Sequence, residues 1–413
     1  MRMDTKSFIQ KQFSEFYREK ASDIEAPRLI EQREFGFLLF KGNVMVRHKS
    51  FGTVEALRSF VKQIVPAHAY YSTAYYEAPE EKMENKGWLG ADLYFDIDAD
   101  HIPTECGKIH DRWKCKTCGF TGKGVTPETC PMCGGKTFED KTWPCEVCLE
   151  SAKSEMVKLV DILVEEFGFS PDEVEVSFSG HRGYHVHVEN EVVKELDSVA
   201  RKEIVDYITG VGLEAALHGV GTRSHVTSSG SSGRGFDNIG WRGRISRGAY
   251  KILSAATEED LKNLGLKEKA VEKILSNKEL ILKTWERSGP WQPIGGLSKD
   301  ALQAIINRAV QNESAKIDTV VTTDIHRLIR LPNSLHGKTG WLKVVFPTSE
   351  IERFDPLKNA VAFKKGEAKV YVDEAPRFRL GEELFGPFKH EKVELPMAAA
   401  VFLLCKGAAE LVE

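Results

Sequence analysis

The chain has 413 residues, 41% hydrophobic and 29% charged, with a formal net charge of −4. That length predicts about two to three structural units with ample chain for a core. The charge balance excludes nucleic-acid binding by bulk charge, leaving local basic patches to do it. Met1 to Lys6 lacks the apolar core of a signal peptide, and the longest apolar run, Met397 to Cys405, is too short to span a bilayer. A cytosolic, cytoplasmic protein is expected.

The chain opens with helical spacing at Phe8, Phe13, Phe16 and Tyr17. Phe35 to Phe40 reads as a strand, Lys41-Gly42-Asn43 as a turn, and Val44 to Arg47 as the hairpin partner. Val54 to Val65 has helical spacing and ends at Pro66, and Tyr70 to Tyr76 is strand-like. After the polar loop Glu77 to Lys86 comes Leu93-Tyr94-Phe95-Asp96-Ile97-Asp98-Ala99-Asp100. Its alternation puts Leu93, Phe95 and Ile97 on one face and Tyr94, Asp96 and Asp98 on the other. Two carboxylates roughly 6.5 Å apart along a strand suit one or two divalent ions. The competing reading is an edge strand with its acids in water. Asp100, at the turn into Pro103, receives no role.

Seven of the eight cysteines lie between Cys106 and Cys148. In a reducing compartment such clustering points to metal rather than disulfides. Cys115-x2-Cys118-Gly and Cys130-Pro-x-Cys133-Gly-Gly are paired knuckles for tetrahedral zinc. Cys106-x3-His110 and Cys145-x2-Cys148 flank them, as though one ribbon were inserted into the loop of another site. Two zinc ions are predicted, both in closed four-ligand structural sites; a split that omits His110 stays open.

From Ser151 a helix is expected through Met156, Leu159, Val160, Leu163 and Phe167, stopped by Gly168. Val174 to Ser179 and Tyr184 to Val188 then alternate as a hairpin with a polar face. A five-residue connection, 180 to 184, would set Ser179 opposite His185. The turn Gly180-His181-Arg182-Gly183 offers close backbone approach and an arginine for phosphate, or else an ordinary wet turn. Residues 192 to 316 read as a mostly helical lobe. It contains the flexible stretch Ser228 to Gly235 and a basic run, Arg223, Arg234, Arg242, Arg244 and Arg247, around Trp241. That run suits a nucleic-acid backbone, although a solvated face is slightly favoured.

Beyond Asp318, Val320-Val321 suits a core strand, and Ile325 to Arg330 a short helix with Arg327 and Arg330 on one face. His336 and Lys338 follow in a loop, Trp341 to Phe346 returns as a strand, and Leu395 to Glu413 reads as an apolar helix. One acid followed closely by four basic groups fits a metal–triphosphate site better than a salt-bridge network.

Three motifs in this order resemble the small, catalytic subunit of archaeal and eukaryotic DNA primases. They are Phe95-Asp96-Ile97-Asp98, then Ser179-Gly180-His181-Arg182-Gly183-Tyr184-His185, then Asp318 with Arg327-Leu328-Ile329-Arg330 and Ser334-Leu335-His336-Gly337-Lys338. Arg33 to Phe37, Arg47 to Phe51 and the Cys145-x2-Cys148 entry to the long helix also look familial. The resemblance implies a mixed α/β (α+β) catalytic core with an RNA-recognition-like sheet, a zinc-binding insert and a helical lobe. The expected division is core at 1–105, 149–191 and 317–413, insert at 106–148 and lobe at 192–316. It further implies Asp96, Asp98 and Asp318 as ligands of Mg²⁺ or Mn²⁺. Ser179, Arg182 and His185 would hold the incoming nucleotide, and Arg327, Arg330 and His336 its triphosphate. The inner ribbon, Cys115 to Cys133, looks like an addition to the commoner single-zinc pattern.

The expected activity is template-directed nucleotidyl transfer on single-stranded DNA from nucleoside triphosphates, with a large primase subunit as partner. Two alternatives stay open: a polymerase of the same superfamily that extends strands but seldom starts them, and a zinc-ribbon nucleic-acid-binding subunit without catalysis.

Overall fold

Period-two patterning around Asp96 builds the edge of a sheet, and the rest of the site hangs on that sheet. The computed structural model describes residues 4–412 except 43, 103, 105, 214–235, 237, 289 and 291–297. The chain divides into two compact units. The first comprises Met1–Val157, Ser170–Lys202 and Ile317–Glu413; the second comprises Lys158–Phe169 and Glu203–Lys316.

The elements that position the site are, in chain order, α1 (Thr5–Lys20), β1 (Phe35–Leu39), β2 (Met45–Lys49), α2 (Val54–Ile64), β3 (Pro66–Ser72) and β4 (Leu93–Asp98). A ribbon follows, β5 (Arg112–Cys115), β6 (Thr121–Lys123) and β7 (Phe138–Lys141), then α3 (Glu146–Glu165), β8 (Val174–Phe178) and β9 (Gly183–Val188). After the second unit come α4 (Thr319–Thr323), β10 (Leu328–Arg330), β11 (Val344–Pro347), β12 (Glu367–Ala375), β13 (Phe388–Pro396), α5 (Met397–Cys405) and β14 (Ala409–Leu411). The mixed α/β class expected from the sequence is what forms.

The first sheet has the order β11-β8-β9-β4 with every pair antiparallel. The second strand of the β8–β9 hairpin thus lies between β8 and β4, the split arrangement that α3, connecting β4 to β8, makes possible. Phe95 faces Val186, Ile97 faces Tyr184, and Val176 and Phe178 continue that face; all are fully buried. Removing each such side chain from water contributes roughly 1.5–3 kcal/mol, which fixes the register. The other face then collects Tyr94, Asp96, Asp98, His185 and His187.

The second sheet, β10-β3-β1-β2, is also antiparallel. Its core is aromatic: Phe37 contacts Phe60 of α2 at 5.2 Å between ring centroids, and Phe35 contacts Phe51 at 5.1 Å. A third sheet, β13-β12-β14, carries α5 against it.

Four local expectations need correction. The β8–β9 connection keeps five residues but lies one position earlier, at 179–183: Phe178 pairs with Tyr184, so Ser177, not Ser179, stands opposite His185. The reason is the turn itself, where Gly180 takes φ +80° and the Ser179 hydroxyl accepts the N–H groups of His181 and Gly183. Val320-Val321 is not a strand; Asp318 accepts the Val320 N–H through Oδ1 and caps the short helix α4 instead. Ile325 to Arg330 is not a helix, because the open edge of β3 recruits Leu328–Arg330 as β10. The C-terminal helix covers Met397–Cys405 only, with Leu395 in β13 before it and β14 after it.

In the second unit, the helices Trp241–Ala255 and Lys299–Glu313 bury Ile245, Ala249, Ile305 and Ile306 in one core. The slightly favoured solvated face holds for Arg242, which is exposed, and not for Trp241 and Arg244. Trp241 is buried, Arg244 pairs with Glu166, and Arg247 donates to the Phe236 carbonyl at 2.8 Å. Ser228 to Gly235, Arg223 and Arg234 lie outside the described residues. Among the described residues no helix is long and apolar enough to cross a membrane.

Candidate active site and metal centres

Strand β4 presents Asp96 and Asp98 to a cavity of about 380 Å³ in the first unit, whose walls also include Asp100, Ser179, His185, Arg327, Arg330, His336 and Lys338. Two hundred residues away in sequence, Asp318 joins the pair through the backbone, its N–H donating to the Asp96 carbonyl at 2.8 Å. Burial, then the charges of Asp98 and Asp318, push the Asp96 carboxyl up to about 7, against the pull of Arg327 and Arg330. Carboxylates that repel one another in this way are matched by a divalent cation, which suits hard oxygen ligands. Strand β4 is an edge strand, and its acids face a polar cavity.

Gly183 pairs with Asp98 across β9 and β4, and a Cβ there would come within 2.5 Å of the Ile97 carbonyl oxygen. This position therefore has room for glycine only. His185 sits opposite Asp96, with Nε2 3.4 Å from its Oδ1. Burial, helped by the nearby cations Lys343 and Arg330, lowers His185 well below the usual histidine range and keeps it neutral.

The opposite wall is built from β3, β10 and the loop before β11. Arg330 Nη1 donates to His68 Nδ1 at 2.6 Å, and its guanidinium lies 5.2 Å from the Tyr70 ring centre. His336 accepts the Lys338 N–H at Nδ1 (3.2 Å), and burial keeps it neutral, which leaves its proton on Nε2 as a donor. Its ring stacks on His181 (5.1 Å, 9°) and meets His68 edge-on (4.7 Å, 89°). Thr339 Oγ1 donates to the Gly180 carbonyl at 2.5 Å, tying this loop to the Ser179 turn. Arg327 is more exposed, its guanidinium 3.9 Å from Asp324.

Arg182 does not line the cavity. It is 2% exposed and its guanidinium is shared between Asp100 and Asp111, Nη1 reaching both Asp111 oxygens at 3.1 and 2.8 Å. Other groups had no local signature in the sequence. Lys406, after α5, donates to His181 at 3.2 Å; Lys343 is buried beside the Tyr94 ring; Asp140 and Thr142 of the ribbon line the cavity. Asp100, given no role above, both lines the cavity and pairs with Arg182.

Arg33 and Glu34, read only as familial, form a buried ionic layer. Arg33 Nη1 lies 2.7 Å from Asp92, which also accepts from Tyr75 Oη at 2.6 Å, while Glu34 is held by Arg47 and Lys86. Asp92, His187 and Glu189 cluster closely enough to ligate an ion. Arg33 already supplies the countercharge there, so that cluster needs no cation.

Both thiolate sets assemble as their spacing predicts: Cys106, His110, Cys145 and Cys148 in one, Cys115, Cys118, Cys130 and Cys133 in the other. Cys115–Cys133 and Cys118–Cys130 sulfurs are 3.7 Å apart, and Cys106–Cys148 sulfurs 3.4 Å. Tetrahedral zinc with bonds of about 2.3 Å requires separations of roughly 3.8 Å, whereas a disulfide requires about 2.05 Å. His110 Nε2 lies 3.3 Å from Cys145 Sγ and 3.5 Å from Cys148 Sγ, which puts it in the outer set. The donor chemistry and geometry of both sites fit zinc.

Comparison with known proteins agrees with this arrangement. A family model described as DNA primase small subunit matches residues 129–347. A DNA primase small subunit PriS from Methanococcoides burtonii is 34% identical, covering 99% of each chain. Those of Archaeoglobus fulgidus and Methanothrix thermoacetophila are 36% and 34% identical, covering 98% and 100% of this chain. With acids, hairpin, basic wall and thiolate insert all in the expected order along a fully matched length, the chain belongs to the DNA primase small subunit family.

Proposed function

We propose that this chain is the catalytic subunit of a DNA primase, a nucleotidyltransferase that makes short primers on single-stranded DNA for replication. The observation that carries the reading is one cavity with mutually repelling acids on one wall and arginine, lysine and neutral histidines on the other. Asp96, Asp98 and Asp318 would hold Mg²⁺ or Mn²⁺, which when bound lowers the pKa of the attacking 3′-hydroxyl and stabilises the leaving pyrophosphate. Ser179 and His185 flank the place for the incoming nucleotide. Arg327, Arg330 and His336 would neutralise its triphosphate as charge builds there. Arg182, held by Asp111 and Asp100 behind the cavity, would act on the nucleotide site through the Asp98–Asp100 turn.

The two zinc sites would be structural, closing the insert whose strand β7 borders the cavity. Working partners are a single-stranded DNA template, nucleoside triphosphates and a large primase subunit, in the cytoplasm. The test offers unprimed single-stranded circular DNA and nucleoside triphosphates to the chain, alone and with its large subunit. Labelled products are expected, and Asp96→Ala plus Asp98→Ala abolishes them while zinc content is retained. Products only from pre-primed templates would instead make the chain a strand-extending polymerase. Unaltered synthesis by the double variant would leave it a non-catalytic zinc-ribbon subunit.

A further inference from the structure

Between the outer thiolate site and the catalytic cavity lies a half-buried carboxylate, Asp111, next in sequence to His110. Its Oδ1 is 2.7 Å from His110 Nδ1 and accepts the Trp143 N–H at 3.0 Å. Since His110 Nε2 faces the Cys145 and Cys148 sulfurs, Nδ1 is the nitrogen left to donate, and a carboxylate there fixes ring orientation and tautomer. On its far side Asp111 receives Arg182 Nη1 with both oxygens. Arg182 Nη2 is bound to Asp100, and the Asp100 N–H donates to Asp98 Oδ1 at 3.1 Å. The Arg182 carbonyl also accepts the Ala99 N–H at 3.3 Å, so both ends of Arg182 hold the turn after Asp98. An unbroken series of polar contacts therefore runs from the outer thiolates through His110, Asp111, Arg182 and Asp100 to Asp98.

This series is costly to rearrange. Arg182 is 2% exposed and Asp111 13%. Neither can trade its partner for water without leaving a buried charge unpaired. Asp100 is the loose member at 36% exposed, so Asp111 rather than Asp100 anchors the guanidinium.

We propose that Asp111 is a positioning residue that couples the outer zinc site to the catalytic acids by way of Arg182. Zinc on the outer ligands holds His110, His110 holds Asp111, and Asp111 holds the arginine that shapes the Asp98–Asp100 turn. The coupling rests on the reading of Asp96 and Asp98 as catalytic metal ligands. Because coupling is reciprocal in binding free energy, metal and nucleotide in the cavity raise zinc affinity at the outer site by the factor by which zinc raises theirs.

The test uses the full chain with its zinc content measured and reads binding rather than synthesis. Mn²⁺ affinity is titrated by electron paramagnetic resonance in the presence of a nucleoside triphosphate. Asp111→Asn, which keeps the shape and one acceptor, is expected to retain two zinc ions and to bind Mn²⁺ about tenfold more weakly. Arg182→Met is expected to lose a similar factor, and the double variant no more than either alone. Wild-type Mn²⁺ affinity in zinc-replete Asp111→Asn overturns the proposal, as does a double variant whose losses multiply. If Asp111→Asn does not stay folded, the zinc affinity of the wild-type chain, measured at equilibrium in competition with a chromogenic chelator, decides. Tighter zinc binding with Mg²⁺ and nucleoside triphosphate supports the coupling, and an unchanged affinity overturns it. Asp96→Asn plus Asp98→Asn separates the two readings: if that variant still binds Mn²⁺ normally, the assignment of the acids fails, not the coupling.

Discussion

Replacing Asp96 by asparagine should stabilise the metal-free protein while ending its chemistry. Burial and the charges of Asp98 and Asp318 raise this carboxyl from 3.8 to about 7. The folded state therefore holds the Asp96 proton more tightly than the unfolded chain does. Between about pH 4 and pH 7 the unfolded chain gives up that proton first, so folded stability falls as pH rises and the whole penalty is present above pH 7. The difference between 3.8 and about 7 corresponds to a ceiling of about 4 kcal/mol. The side chain keeps 28% of its exposure and water screens the repulsion, so about 1–2 kcal/mol is expected. Asparagine removes the charge at nearly constant volume and escapes the penalty. Thermal unfolding of wild type and Asp96→Asn, both metal-free, at pH 5 and pH 8 measures the effect. The variant should gain a few degrees over wild type at pH 8 and much less at pH 5. Mn²⁺ should raise the wild-type midpoint at pH 8 and leave the variant's nearly unmoved. An advantage for the variant that is equal at both pH values, or none at pH 8, would refute the reasoning.

Gly183→Ala pushes a methyl group onto the Ile97 carbonyl and should separate β9 from β4 beside Asp98. Primer synthesis should fall at least tenfold with zinc content unchanged, as measured on unprimed DNA. The chain should carry two zinc ions by elemental analysis, and Cys118→Ser plus Cys133→Ser should carry one; a single zinc in the wild type would disprove the two-site reading. Arg33→Met removes one of the two cationic partners of buried Asp92, leaving His187 at 3.1 Å, and should cost up to about 3 kcal/mol in chemical denaturation. Adding Asp92→Leu should recover much of that loss, and failure to do so would show that Arg33 acts by some route other than the ion pair.

What the sequence determined by itself was what depends on local period and spacing. Alternation in Leu93–Asp98 settles which residues share a face, because side chains on a strand repeat every second residue. Two knuckles and their flanking pair settle the thiolate sets, because tetrahedral sites demand close ligands on short tight turns. The three acids and the basic groups could also be named, but only from resemblance. Tertiary structure decided the rest, through partners far away in the chain. Whether Leu328–Arg330 is helix or strand depended on the vacant edge of β3, over two hundred residues upstream. Asp318 could stand before a strand or cap a helix, and its own side chain chose the cap. Ser177 displaced Ser179 from opposite His185 because the turn starts one residue earlier, where the Ser179 hydroxyl satisfies the N–H groups of His181 and Gly183. Lys406 and His68 back the cavity by contacting His181 and Arg330, from elements whose local patterns say nothing of chemistry. Arg182 shows the limit most clearly. Its type and its glycine turn were legible, but its hold on Asp100 and Asp111 was not, since burial of a charge selects its partners in space rather than in sequence.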